Sequence, residues 1–235
     1  MAAKSPIILI LGAGPNIGQS VAHKFASKGY KVALAARSLK ESNSTEEQLI
    51  IPTDLSKTDD IVNAFDKVKE VFGIPSVVVY NASSVTFTPA DDPFAITVTD
   101  LSRDTTINVH GAFVAAQQAV LGFSQLPTSA AKTFIYTGNI LNVGIIPKLL
   151  TNGIGKSGAA HMIWAASDAY QDRGYKFYYA DERKTDGSPK YRIDGGAHAD
   201  LYWELAHAET QGPWMQTFVH GEGYKKFDDL YTPLA

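Results

Sequence analysis

Cysteine is absent from all 235 residues, which excludes disulfides, thiolate nucleophiles and cysteine-ligated metal centres together. The six histidines include no HxxxH pair, so no metal site is expected. No apolar run reaches the roughly 18 residues a membrane-spanning helix needs. Met1 to Pro6 also lacks the charged, apolar and small-residue succession of a secretion signal. A cytoplasmic protein with no membrane partner is the expectation. Positive charge is scarce as well: 21 Lys and Arg against 24 Asp and Glu give a net charge of -3, with no basic stripe. That pattern argues against nucleic acid as a partner.

What is present is a chain with 45% hydrophobic residues, enough to bury a large core, and a single domain over 1–235 is expected. Ile7 to Leu11 is an unbroken apolar run, suited to a central parallel strand covered on both faces. Ile17, Val21 and Phe25 then recur at helical spacing up to Gly29. The alternation continues: strands at Lys31 to Ala36, Leu49 to Ile51 and Val77 to Tyr80, with a helical stripe at Ile61, Phe65, Val68 and Phe72 between the last two. Downstream, Val109, Phe113, Ala116 and Val120 mark a helix face. Further helices are expected over Gly155 to Tyr170 and Ala197 to Glu209, and strands at Thr133 to Thr137, Lys176 to Ala180 and Met215 to Val219. Such βαβ alternation predicts an α/β, doubly wound, three-layer sandwich around a mostly parallel seven-stranded sheet. Arg37 to Gln48 and Asp181 to Gly196 read as polar loops.

Gly12-Ala13-Gly14-Pro15-Asn16-Ile17-Gly18 lies between the first strand and the first helix, where free N–H groups and the helix dipole favour a pyrophosphate. Because position 17 is Ile, the loop is not the GxGxxG form. It resembles the GxxxGxG loop of the short-chain dehydrogenase/reductase family, with Asn16 in place of the middle glycine; Asn tolerates a positive φ. The resemblance runs from about residue 6 to 165 and implies a Rossmann-like NAD(P)-binding domain. In that family an acidic residue ending the second strand selects NAD(H). Here Arg37 and Ser38 stand there, and a guanidinium suits a 2′-phosphate, so NADP(H) is expected over NAD(H). Asp54 and Leu55 match the family's adenine contact, with helix capping as the alternative role for Asp54. Asn81-Ala82-Ser83 resembles the family's NAG turn, with Ser for Gly.

The family's chemistry uses Asn, Ser, Tyr and Lys. Asn108 and Lys156 match the first and last of these, whereas the serine and tyrosine positions hold Asn139 and Asn152. An amide has no exchangeable proton near neutrality, so Asn152 cannot act as a general acid. Asn139 could still polarise a substrate oxygen. Thr151, Tyr136, Tyr178, Tyr179 and His110 are the nearest other proton donors in sequence. Asp181 and Glu182 read as solvated carboxylates, and His198, Trp203 and Trp214 as pocket or packing residues. The expectation is an atypical NADP(H)-binding oxidoreductase acting on a carbonyl or alcohol of a small molecule. Two alternatives stay open: a cofactor-binding sensor without redox chemistry, and a non-redox isomerase, lyase or cyclase. The resemblance further implies a homodimer or homotetramer.

Overall fold

The computed structural model describes residues 5–227; both ends of the expected 1–235 unit, residues 1–4 and 228–235, lie outside the described residues. Strands β1 (Ile7–Leu11), β2 (Lys31–Ala36), β3 (Gln48–Pro52), β4 (Val77–Tyr80), β5 (Thr133–Thr137), β6 (Lys176–Arg183), β7 (Met215–Val219) and β8 (Gly223–Tyr224) form one sheet in the order β3-β2-β1-β4-β5-β6-β7-β8. All neighbours pair in parallel except β7 with β8. The seven expected strands are thus joined by an eighth, whose two residues are too few to show any pattern.

Among the described residues, six α-helices cover the faces: α1 (Ile17–Ser27), α2 (Thr58–Val71), α3 (Val98–Thr105), α4 (Ala112–Phe123), α5 (Leu150–Ala169) and α6 (Gly195–His207). One core unites alternate strand residues with Ile61 and Phe65 of α2, Ala115 of α4 and Ile163 of α5. The other unites the opposite strand residues with Phe25 of α1 and Tyr202 of α6. These are the two interlayer cores of a three-layer sandwich. Both faces of the central strands β1 and β4 are covered, which explains why Ile7–Leu11 and Val77–Tyr80 read as short apolar runs.

Besides α3, for which the sequence predicts no helix, three elements differ from the sequence expectation. Residues Thr106–Gly111 form a π-helical segment that joins α3 to α4. Its wider turn rotates the next helix about its axis, so α4 buries Ala112, Ala115, Ala119 and Phe123, while Phe113, expected on the packed face, is exposed. Helix α5 begins at Leu150, not Gly155, and carries Thr151 and Asn152 in its first turn. Strand β6 continues through Arg183 because its last residues pair with β7, Asp181 with Thr217 and Arg183 with Val219. The expected loop therefore starts later.

The strand order reverses between β1 and β4, since one half of the sheet runs outward through β2 and the other through β5. Beyond the carboxyl ends of these two strands lies the crevice where open α/β sheets take ligands.

Candidate active site

Two turns meet at that crevice. Gly12 follows β1 with φ of +89°, and a Cβ there would lie 2.5 Å from the Ala82 nitrogen. Only glycine fits so close to the turn after β4. Asn81 locks the approach by donating from Nδ2 to the Gly12 oxygen at 2.8 Å. Gly18 holds α1 against the loop, because its Cβ would lie 2.7 Å from Ala13 Cα. At Gly14 a Cβ would meet only the Gly12 oxygen, at 4.0 Å. Nothing in the chain's own packing demands glycine there. Instead Gly14 stands between two cavities and lines both.

The smaller cavity, about 270 Å³, is lined by Arg37, Ser38, Asp54, Leu55, Ala82 and Ser83 among others. Arg37 and Ser38 are exposed, and Arg37 forms no ion pair among the described residues. Asp54 does not cap α2. Its Oδ1 accepts from the Ser56 nitrogen (3.1 Å) and hydroxyl (2.8 Å), and these bonds hold its carboxyl below the usual range. The turn is thereby closed beside the cavity.

The larger cavity, about 430 Å³, has a polar floor that includes Asn139, Lys156, Asp181 and Glu182, and apolar walls that include Ile140, Leu141, Ile146, Leu149 and Ile193. Lys156, on α5, is buried. Its ammonium donates to the Thr137 oxygen at 2.8 Å and reaches the Tyr136 hydroxyl at 3.4 Å. With three N–H bonds available, one remains. Burial lowers the Lys156 pKa to about 7, against a smaller opposing effect of the Asp181 charge.

Asp181 and Glu182, expected in water, are buried because β6 runs on beneath the cavity. Asp181 is paired with Arg183 at 2.5 Å; burial nonetheless raises its pKa to about 6, with Arg183 opposing. Glu182 accepts from Lys190 at 2.6 Å and from the Asp194 nitrogen at 2.7 Å. His198 also lines this cavity; its ring bonds the Asp194 oxygen at 2.8 Å, and burial holds it below its ordinary pKa. Trp203 packs against Phe25 and Tyr30, and Trp214 stacks on Trp164, so neither tryptophan lines these cavities. Among the described residues, no group of three or more His, Cys, Asp or Glu is placed to hold a metal.

The substituted glycine position behaves differently from expectation. Asn16 has φ of -91°, so its tolerance of positive φ is not used. Its side chain instead donates to the Ile193 oxygen (3.0 Å) and accepts from the Gly195 nitrogen (3.1 Å). These bonds tie the entrance of α6 onto the glycine loop. Ile17 lines the larger cavity, with its backbone N–H at the open end of α1.

The four residues expected at the catalytic positions separate into two pairs. Asn139 and Lys156 face the larger cavity, whereas Asn108 and Asn152 line neither. Asn108 holds Ser84 through both backbone groups, accepting from its nitrogen at 2.9 Å and donating to its oxygen at 2.7 Å. Asn152 accepts from Asn139 Nδ2 at 3.0 Å and donates to Ser83 Oγ at 2.9 Å. Thr151, Tyr136, Tyr178, Tyr179 and His110 line neither cavity. Tyr136 donates to the Asn108 oxygen, and Tyr179 to the Asn139 oxygen at 2.7 Å. They support the site from behind. The sequence did not mark the apolar wall; Ile140, Leu141 and Ile146 show no period, and only their apolarity between β5 and α5 was a signal.

Residues 6–143 match the short chain dehydrogenase family. A short chain dehydrogenase/reductase of Cryptosporiopsis sp. (strain 8999) is 44% identical over 235 residues, spanning 95% of each chain. Among solved structures, a short-chain type dehydrogenase/reductase from Mycobacterium marinum has a TM-score of 0.77 at 19% identity, covering 93% of this chain and 95% of that one. A metagenomic short-chain oxidoreductase, solved in complex with NADP, also has a TM-score of 0.77, at 17% identity over 92% of this chain and 96% of that one. Those two structures speak for the fold, and the sequence matches for descent. The chain belongs to the short-chain dehydrogenase/reductase family of oxidoreductases.

Proposed function

We propose that the chain is an atypical, NADP(H)-dependent oxidoreductase of a carbonyl or alcohol, in which Lys156 replaces the missing tyrosine as the proton donor. The placement of Lys156 carries this reading. It is a buried ammonium with one uncommitted N–H, on the floor of a cavity that Gly14 joins to a second cavity beside Arg37. The residues fit a dinucleotide. Arg37 and Ser38 would hold the 2′-phosphate, Asp54, Leu55 and Ala82 the adenosine, and the open side of Gly14 with the start of α1 the pyrophosphate. The NADP complex of the metagenomic relative supports the same choice of nucleotide.

Bound NADPH would supply a hydride to the carbonyl carbon. The chain's own task is then to give the oxygen a proton. A Lys156 N–H bond breaks as the O–H bond forms, and the neutral amine regains its proton from solvent. A pKa lowered to about 7 by burial suits this exchange near neutrality. Asn139 uses one Nδ2 hydrogen on Asn152 and the Oδ1 on the Leu141 nitrogen, which leaves its second N–H for the substrate oxygen. The apolar wall favours a small, largely apolar substrate. Exposed Phe113, Leu121 and Trp164 on α4 and α5 support a homodimer or homotetramer. Among the described residues no helix is long and apolar enough to cross a membrane.

Melting curves with NADPH, NADH and no nucleotide, followed by NADPH oxidation over a carbonyl panel, test the reading. It expects the larger stabilisation from NADPH, and turnover that Lys156→Met lowers by at least about a hundredfold. No stabilisation by either nucleotide would refute it.

A further inference from the structure

Asn139, Asn152 and Ser83 form one directional chain of hydrogen bonds. At its start the Leu141 nitrogen donates to Asn139 Oδ1 at 3.1 Å, so the Asn139 amide nitrogen faces Asn152. It donates to Asn152 Oδ1 at 3.0 Å. The Asn152 amide is fixed from its far side too: its Nδ2 donates to the Ser84 oxygen at 3.3 Å, a carbonyl that can only accept. The same Nδ2 donates to Ser83 Oγ at 2.9 Å. Ser83 Oγ is therefore an acceptor within the chain, and its own hydrogen must go elsewhere. Ser84, the next residue, gives its hydroxyl hydrogen to Asp104 Oδ1 at 2.6 Å. Ser83 has no such acceptor among the described residues; it is exposed and lines both cavities.

Every link points the same way, from a backbone N–H through two amides to one hydroxyl. Aligned bonds polarise one another, so the last O–H is a stronger donor than an isolated serine. Asn152 is buried in the first turn of α5, which fixes the direction in which it pushes. We propose that Ser83 is a catalytic residue, donating this hydroxyl hydrogen bond to the reacting oxygen of a carbonyl substrate, with Asn152 as its positioning residue. The assignment rests on the oxidoreductase reading and moves Ser83 from the nucleotide to the substrate.

The test avoids turnover by using oxidised NADP. Acetophenone, tetralone and menadione, each labelled with 13C at a carbonyl, are added to the wild type, Ser83→Ala, Ser83→Thr and Asn152→Ala with NADP present. The bound carbonyl resonance is read by NMR, and nucleotide binding by melting temperature. The expected result is a downfield carbonyl shift with at least one probe in the wild type and Ser83→Thr, clearly reduced in Ser83→Ala, where only the Lys156 and Asn139 donors remain, and reduced by less in Asn152→Ala. NADP should raise the melting temperature of Ser83→Ala as it does the wild type. An unchanged carbonyl shift in Ser83→Ala overturns the proposal, as does no shift with any probe in the wild type. Loss of NADP stabilisation in Ser83→Ala alone would make Ser83 a nucleotide contact and also overturn it. Absence of that stabilisation in the wild type would instead sink the oxidoreductase reading beneath it.

Discussion

The two cavities on either side of Gly14 are built on different principles. The smaller one is shaped by backbone turns and exposed side chains: Gly12 pressed against Ala82, the closed turn of Asp54 with Ser56, and Arg37 open to solvent. The larger one is floored by the buried side chains of Lys156, Asp181 and Glu182, and burial together with neighbouring charge sets the ionisation of Lys156 and Asp181. Recognition by shape tolerates changes in pH. Chemistry by buried charge does not, and that difference can be broken experimentally from either side.

The largest effect is expected in the buried half. Lys156→Met should lower kcat by about a hundredfold to ten-thousandfold at saturating NADPH, as measured by NADPH oxidation on whichever carbonyl the wild type reduces. In the other half, Arg37→Ala should weaken NADPH about tenfold to a hundredfold while leaving NADH affinity almost unchanged; parallel titrations with both nucleotides check this. The loop between the halves should respond at two neighbouring glycines in opposite ways. Gly12→Ala should cost roughly 1–3 kcal/mol of folding stability, because it forces a strained backbone against Ala82. Gly14→Ala should leave stability within about 0.5 kcal/mol yet weaken NADPH, as denaturation and titration together would reveal.

The smallest effects are those of pH. Reduction should slow as pH rises through about 7, where Lys156 loses its proton, whereas nucleotide affinity in the Arg37 half should stay nearly level. Folding stability should carry the same signature. Between about 7 and the ordinary lysine value of 10.5 the unfolded chain holds a proton that the folded chain has released, so this residue's contribution rises with pH across that window. Asp181 acts in the opposite sense: raised from 3.8 to about 6, it makes stability fall as pH climbs between those values. Melting curves of the wild type and Lys156→Met across pH would separate the two: the alkaline slope should shrink in the variant, keeping only the share of Lys176, which burial lowers to about 8, while the acidic slope persists.

The same division decides how much is legible in the sequence. Gly12, Gly18 and Asn81 can be read because a turn between a buried strand and a helix leaves a local pattern. Strands β1, β2 and β4 can be read because their burial makes Ile7–Leu11, residues 32–36 and Val77–Tyr80 continuously apolar apart from the Tyr80 hydroxyl. The floor of the larger cavity cannot. Asp181, Glu182 and Arg183 look like loop residues until β7 pairs with them, and no local composition announces a neighbour 36 residues away. Asn16 looks like a conformational substitute for glycine, yet its partner Ile193 is 177 positions distant. The packed face of α4 departs from the periodic expectation because a π-helical segment just before it shifts the period. The family resemblance draws the eye to Asn139 and Asn152, but their joint direction toward Ser83 depends on amide orientations that only three-dimensional neighbours fix.

Calorimetric titration of the unmodified protein with NADPH tests most directly whether the two halves form one dinucleotide site. One equivalent per chain, bound more tightly than NADH, is the expected result; no binding of NADPH, with NADPH melting curves superimposed on those of the protein alone, would contradict it.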